Sequence, residues 1–149
     1  MLGHPAHSNH ERACTMPNRR RVFFNTSGQR HSSPIPEGVI ANGFVFLTAV
    51  RGVDPATQQV EADDPEEQAR TAFAVMRNTL ATVGSTVEDV VKVGVYMKDM
   101  RDRDAFNKVW KETFGDEPPA RFAVQVVDMG VIGDKTKFLL DVTALAPEE

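Results

Sequence analysis

The chain has 149 residues, with 17 Lys and Arg, 21 Asp and Glu and a formal net charge of −4. Hydrophobic residues make up 41% and charged residues 26%, an ordinary globular balance with enough apolar material for one core. No run approaches the ~20 consecutive apolar residues that a helical membrane span requires.

His4, His7, His10 and His31 are the only histidines and Cys14 the only cysteine, so residues 32–149 contain neither. This excludes from that stretch a thiolate nucleophile, a Ser-His-Asp triad, a zinc site of the usual N/S type and an intrachain disulfide framework. Catalysis there falls to Arg, Lys, Asp, Glu, Tyr, hydroxyls, backbone groups and water. Oxygen-only Mg²⁺ or Ca²⁺ binding stays formally open.

Residues 1–18 lack apolar periodicity and the apolar segment of a secretory signal. They read as an unstructured leader before a single domain over 19–149, in a cytoplasmic protein. A sharper reading makes Met16 the translation start. Residues 1–21 hold four Arg against Glu11, a charge of +3, so the remainder carries −7. An acidic body argues against nucleic acid as the main partner. The Arg19-Arg20-Arg21 run reads as a solvated turn, and His4, His7 and His10 as a weak metal-binding signal.

Residues 21–26 predict a short strand, followed by a turn-rich stretch with Gly28, Ser32, Ser33, Pro34 and Pro36. Asn42-Gly43 between apolar runs predicts a hairpin with a type I′ turn. Asp64-Pro65-Glu66-Glu67 is a helix start: Asp64 caps, and Pro65 suits the first helical position. Ala69, Ala72, Phe73, Met76, Leu80 and Val83 then recur at helical spacing up to Gly84, while Arg70 and Arg77 fall off the stripe. Residues 90–97 predict a strand with Val91, Val93, Val95 and Met97 on one face, and Gly94 marking a bulge or a close approach. Residues 102–114 predict a second helix, lined by Phe106, Val109, Trp110, Thr113 and Phe114 and ended by Gly115. Residues 120–127 and 137–145 predict two more strands. The sum is an α+β domain of two layers: two helices on a mainly antiparallel mixed sheet.

Three positions stand out chemically. Arg121 follows the rigid Pro118-Pro119-Ala120 and opens the apolar run Phe122-Ala123-Val124, which suits a guanidinium fixed at a sheet end to hold a carboxylate. A structural ion pair is the alternative. Asp141 interrupts the last apolar strand, and alternation points it either at a partner or at solvent. The Thr48 hydroxyl either binds a ligand or satisfies a turn. Lys92 and Lys98 read as edge or solvent residues, and Tyr96 as a core aromatic with its hydroxyl at the rim.

Three segments in order resemble the Rid (reactive intermediate deaminase, YjgF/YER057c-like) family. They are the helix 64–84 with its EEQAR start, the run from Ser85 through Lys92 to Tyr96-Met97-Lys98-Asp99-Met100, and Phe114-Gly115 through Pro119-Ala120-Arg121. The resemblance covers about residues 33–146. It implies a chorismate-mutase-like fold and a homotrimer with ligand clefts between subunits. It also implies cofactor-free hydrolysis of 2-imino acids or enamines to 2-oxo acids and ammonia. In that comparison Arg121 holds the substrate carboxylate, Asp141 orients water or moves a proton, and Thr48, Ala49, Ile35 and Ala123 line the substrate site. Thr48-Ala49-Val50 stands where deaminase-type members carry Ser-Gly-Gln. Ile35 stands near an expected Tyr, and Asp141 replaces an expected Glu. Extra residues fall between Asp128 and Lys135.

The first expectation is therefore an imine or enamine deaminase acting on a small carboxylate. A non-catalytic trimer that binds a small carboxylate or regulates a partner is the second. Ribonuclease activity, attached to some relatives, is the third and is opposed by the acidic body and the missing histidines.

Overall fold

The structure, a computed structural model of the chain, describes residues 21–26, 34–130 and 135–148. The leader, Met16, the histidines, Gly28, Ser32, Ser33 and most of the extra residues before Lys135 lie outside the described residues.

Six strands form one sheet in the order β1-β2-β3-β6-β4-β5. They are β1 (Val22–Phe24), β2 (Gly38–Ala41), β3 (Phe44–Leu47), β4 (Val90–Met97), β5 (Ala120–Gln125) and β6 (Phe138–Leu145). Every pairing is antiparallel except β4 with β5. A parallel pair needs a long crossover, and α2 (Arg103–Phe114) supplies it. Asn42 and Gly43 both take positive φ, 53° and 81°, which is the backbone that a type I′ turn demands between β2 and β3.

Helix α1 (Pro65–Ala81) starts as its sequence predicts: Asp64 Oδ2 accepts from the Glu67 N–H at 3.0 Å, with Pro65 behind it. Arg70 is exposed but engaged, linking Glu66 on its own helix to Glu112 on α2 at 3.3 and 3.2 Å. The apolar stripes of both helices cover one face of the sheet. Phe73 meets Phe106, Trp110 and Phe114 at ring-centroid distances of 5.5, 6.1 and 5.6 Å, and Phe106 meets Phe138 of the sheet at 4.9 Å. These aromatics, with Met76, Leu80, Val93, Val95 and Leu140, are fully buried or packed on the core.

Strict alternation fails at the start of β4. Val90 is buried and Val91 exposed, the reverse of the predicted faces, because the register with β6 shifts between Val90 and Lys92. Gly94 marks the other alternative, a close approach: a Cβ there would lie 2.4 Å from the Phe122 ring on β5.

The opposite face of the sheet carries Phe44, Phe46, Phe122, Val124 and Leu145, each 37–45% exposed. The two helices leave this apolar face uncovered.

Candidate functional site

Arg121 lies on β5, the edge strand, in register with Val93 of β4. Val93 is fully buried under the helices, so Arg121 shares the helix-side face. Two side chains of α2 hold its guanidinium. Arg121 Nη1 donates to Asn107 Oδ1 at 2.8 Å, and the guanidinium carbon sits 4.7 Å from the centroid of the Trp110 ring. No carboxylate among the described residues forms a salt bridge with it. Partial burial, and then the like charge of Arg103, draw its pKa below the ordinary arginine value. That ordinary value is so far above neutrality that the group stays cationic. The result is a preoriented cation with neutral supports, next to a second positive charge. Ala123 follows on the same face, in register with Val95.

Ile35, Thr48 and Ala49 come together elsewhere. They line a cavity of about 510 Å³, with Pro36, Glu37 and Val50 on the sheet side and Val75, Asn78 and Thr79 of α1 opposite. Backbone bonds explain how the wall is held. Thr48 N–H donates to the Glu37 carbonyl at 2.8 Å, and Val50 exchanges two bonds with Leu140 at 2.8 and 2.9 Å. The Thr48 hydroxyl donates to the Pro36 carbonyl at 2.5 Å. It thus satisfies a turn while it lines the cavity, and it presents lone pairs rather than a proton. Glu37 caps the same corner: its carboxylate accepts from the Thr26 N–H at 2.6 Å and from the Thr26 hydroxyl.

Asp141 belongs with this second group by register. Phe46 pairs with Thr143 and Val50 with Leu140, so Thr48 and Ala49 bulge out opposite Asp141. Its immediate neighbours in β6, Leu140 and Val142, are buried against the helices, and Asp141 is exposed on the uncovered face across from Gly94. Alternation thus resolved the ambiguity of this residue in favour of exposure.

The predicted residues therefore fall into two sets within one chain. Arg121 and Ala123 lie on the helix side of the edge strand β5. Ile35, Thr48, Ala49 and Asp141 lie around the end of β3 and on β6. From β3 to β5 the sheet crosses three strand spacings, roughly 14 Å. Asn107 and Glu37 escaped the sequence reading, and Trp110 was read only as helix lining. For Asn107 a signal existed: it is a weak helix former three residues before Trp110, on an otherwise well-patterned helix. Among the described residues no group of three His, Cys, Asp or Glu side chains is arranged to hold a metal ion. None of their helices is long and apolar enough to cross a membrane.

The family model described as endoribonuclease L-PSP matches residues 31–146. The chain belongs to this family, the Rid or YjgF/YER057c/UK114 family. It is a divergent member. A RutC family protein of Pyrococcus horikoshii is 33% identical over 107 residues, covering 72% of this chain and 85% of the relative. A RutC family protein of Saccharolobus solfataricus is 30% identical over 107 residues, again 72% of this chain and 85% of the relative. The fold is that of the Rid family. The crystal structure of yeast Mmf1 superposes with a TM-score of 0.77 at 24% identity, covering 86% of this chain and all (100%) of that one. A YjgF/YER057c/UK114 family member from Mycobacterium tuberculosis gives a TM-score of 0.71 at 20% identity, covering 85% and 100%.

Proposed function

We propose that this Rid-family protein hydrolyses a reactive imine or enamine of a small carboxylic acid, without a cofactor, in a cleft shared between subunits of a chorismate-mutase-like homotrimer in the cytoplasm. The observation that carries the reading is Arg121: a guanidinium oriented by Asn107 and Trp110, with no carboxylate of the described chain paired to it. Such a group is suited to bidentate capture of a substrate carboxylate.

Two features support the subunit arrangement. Arg121 lies on an edge strand, away from Thr48 and Asp141, so one chain alone supplies only half of the site. The uncovered face with Phe44, Phe46, Phe122 and Val124 exposes an apolar patch of the kind that marks an interface. A neighbouring copy covering it would bring Thr48, Ala49, Ile35 and Asp141 toward the Arg121 of another.

The chemistry asks little of the protein. Water adds to the electrophilic imine carbon to give a carbinolamine. Collapse of that adduct expels ammonia and leaves the 2-oxo acid. Arg121 fixes the carboxylate, Asp141 orients the water and carries a proton, and the Thr48 lone pairs accept from the imine N–H or the water. Orientation plus one weak acid-base group suffices for so activated a carbon. The test is release of 2-oxobutanoate from 2-iminobutanoate generated in situ. Wild type accelerates it over buffer and Arg121→Ala does not; equal rates for both would overturn the reading.

A second reading is favoured by Ile35 and Ala49, which offer no hydrogen-bonding side chain at the cavity wall: a trimer that binds a small carboxylate without turning it over. Binding of 2-oxo acids with no turnover of any imine would select it. The word endoribonuclease in the family description suggests RNA, but the net charge of −4 supplies no basic footprint for phosphate.

A further inference from the structure

We infer that Arg103 is a second cation of the Arg121 site, and that the pair receives a compact dianion: an imine or enamine whose two acidic groups lie only a few carbons apart. The inference rests on the reading of Arg121 as the anchor of the first carboxylate.

The placement of Arg103 follows from α2. Asn107 and Trp110, which hold the Arg121 guanidinium, stand four and seven residues after Arg103, on one face of the helix. Residues one turn apart on a face have Cβ atoms about 5–6 Å apart, within the reach of an arginine. After partial burial, the charge of Arg103 is what draws the Arg121 pKa below its ordinary value, so the two guanidinium groups feel each other. Ala123, next on the same face of β5, adds only a methyl group.

No described acid neutralises the pair: neither arginine forms a salt bridge among the described residues. The acids near Arg103 in sequence serve other partners. Asp99 pairs with Arg101 at 2.5 Å and Asp102 with Lys137 at 3.5 Å. Asp104 and Glu112 stand in the column of Lys108, which meets Glu66 of α1 at 2.9 Å, while Glu112 meets Arg70 at 3.2 Å. One side of α2 is thus a charge-balanced contact with α1, and the side that holds Arg121 carries Arg103 without a counter-charge. Helix stability does not account for Arg103 either. It is exposed at the first position of α2, where the helix dipole disfavours a cation. Two like charges held close together repel, and a ligand that brings two negative charges offsets both.

Calorimetric titration of the intact protein at low ionic strength tests this with oxaloacetate, phosphonopyruvate and 2-oxobutanoate. The last has a methyl group where oxaloacetate has its second carboxylate. The expected result is that a dianion binds about tenfold more tightly than 2-oxobutanoate, the scale of one charge-assisted contact. Whichever dianion binds more tightly identifies the second acid as a carboxylate or a phosphorus acid. Arg103→Gln should bring the ratio of dianion to monoacid affinity toward one, and Arg103→Glu below one. Lys111→Gln, one turn beyond Asn107, should leave it in place. Because the ratio is measured within one variant, a misfolded protein, which loses all ligands together, is recognised as such. A monoacid that binds as tightly as both dianions, a ratio unmoved by both Arg103 substitutions, or a ratio lowered as far by Lys111→Gln would overturn the inference and leave the Arg121 anchor intact. Failure of all three ligands to bind the folded wild type would instead overturn the Arg121 anchor, and the inference with it.

Discussion

Arg121 and Asp141 stand on opposite faces of the same sheet. Arg121 is in register with buried Val93, whereas Asp141 is in register with Gly94 on the uncovered face. In the proposed trimer, a reaction that uses both on one small substrate would draw them from different copies.

That relationship is testable by mixing. Arg121→Ala and Asp141→Asn subunits should each be inactive alone. Refolded together, they should regain about a quarter of wild-type imine hydrolysis, since random assembly leaves that fraction of shared sites intact. A mixture as inactive as its parts would place both groups in one subunit's site.

The supports of Arg121 should matter to ligand binding, and Trp110, which also packs on the core, to folding as well. Trp110→Leu removes a contact worth about 0.5–2 kcal/mol. Calorimetry with a 2-oxo acid should show affinity weakened several-fold, and Asn107→Leu should act in the same direction. Unchanged affinity in both would show that β5 alone orients the guanidinium.

Gly94 and Phe122 make a coupled pair. In Gly94→Ala the new Cβ would meet the Phe122 ring at 2.4 Å. The expected loss is about 1–3 kcal/mol of stability in denaturant unfolding. Combining it with Phe122→Leu should cost less than the two losses added together, the mark of a shared steric cause.

Gln68 holds three backbone groups at once. Its amide donates to the Ala62 and Lys135 carbonyls at 2.7 and 2.9 Å, and its Oε1 accepts from Lys137 N–H at 2.9 Å. The side chain is buried, so Gln68→Leu strands all three and should cost about 1–3 kcal/mol or more, read as a lower melting temperature.

Asp99 should titrate at about 2, because the Arg101 side chain donates to it, as does the Arg101 backbone N–H. A depressed carboxyl stabilises the fold above its unfolded pKa, and that contribution is lost as pH falls toward about 2. NMR titration of Arg101→Ala should move the midpoint up, toward the ordinary aspartate value. High salt should do the same in wild type, since the pair is exposed.

Much of this was legible where local chemistry decides. Asn42-Gly43 dictates its turn, Asp64-Pro65 its helix start, and the alternation of Phe138, Leu140, Val142 and Ala144 the buried face of β6. Val90 and Val91 were misread because a period of two assumes an unbroken register, and a bulge resets it. Gln68 was left out of the stripe because it is polar, although its spacing to Ala72 and Met76 puts it there. For the site, Arg121, Thr48 and Asp141 drew attention by their local settings. Their division between two surfaces did not, because strand order is a property of the whole chain. The same holds for Asn107 and Trp110, which meet Arg121 only after a helix folds back on its strand.

The bond from the Thr48 hydroxyl to the Pro36 carbonyl has a consequence for chemical detection. A hydroxyl reacts with fluorophosphonates or sulfonyl fluorides when a nearby base takes its proton. Here a backbone carbonyl holds that proton, and residues 32–149 contain no histidine to receive it. Activity-based probes built for serine hydrolases would therefore pass this protein by. A probe that reports on it would carry a carboxylate and a masked imine, and would read out release of its ammonia rather than a covalent mark.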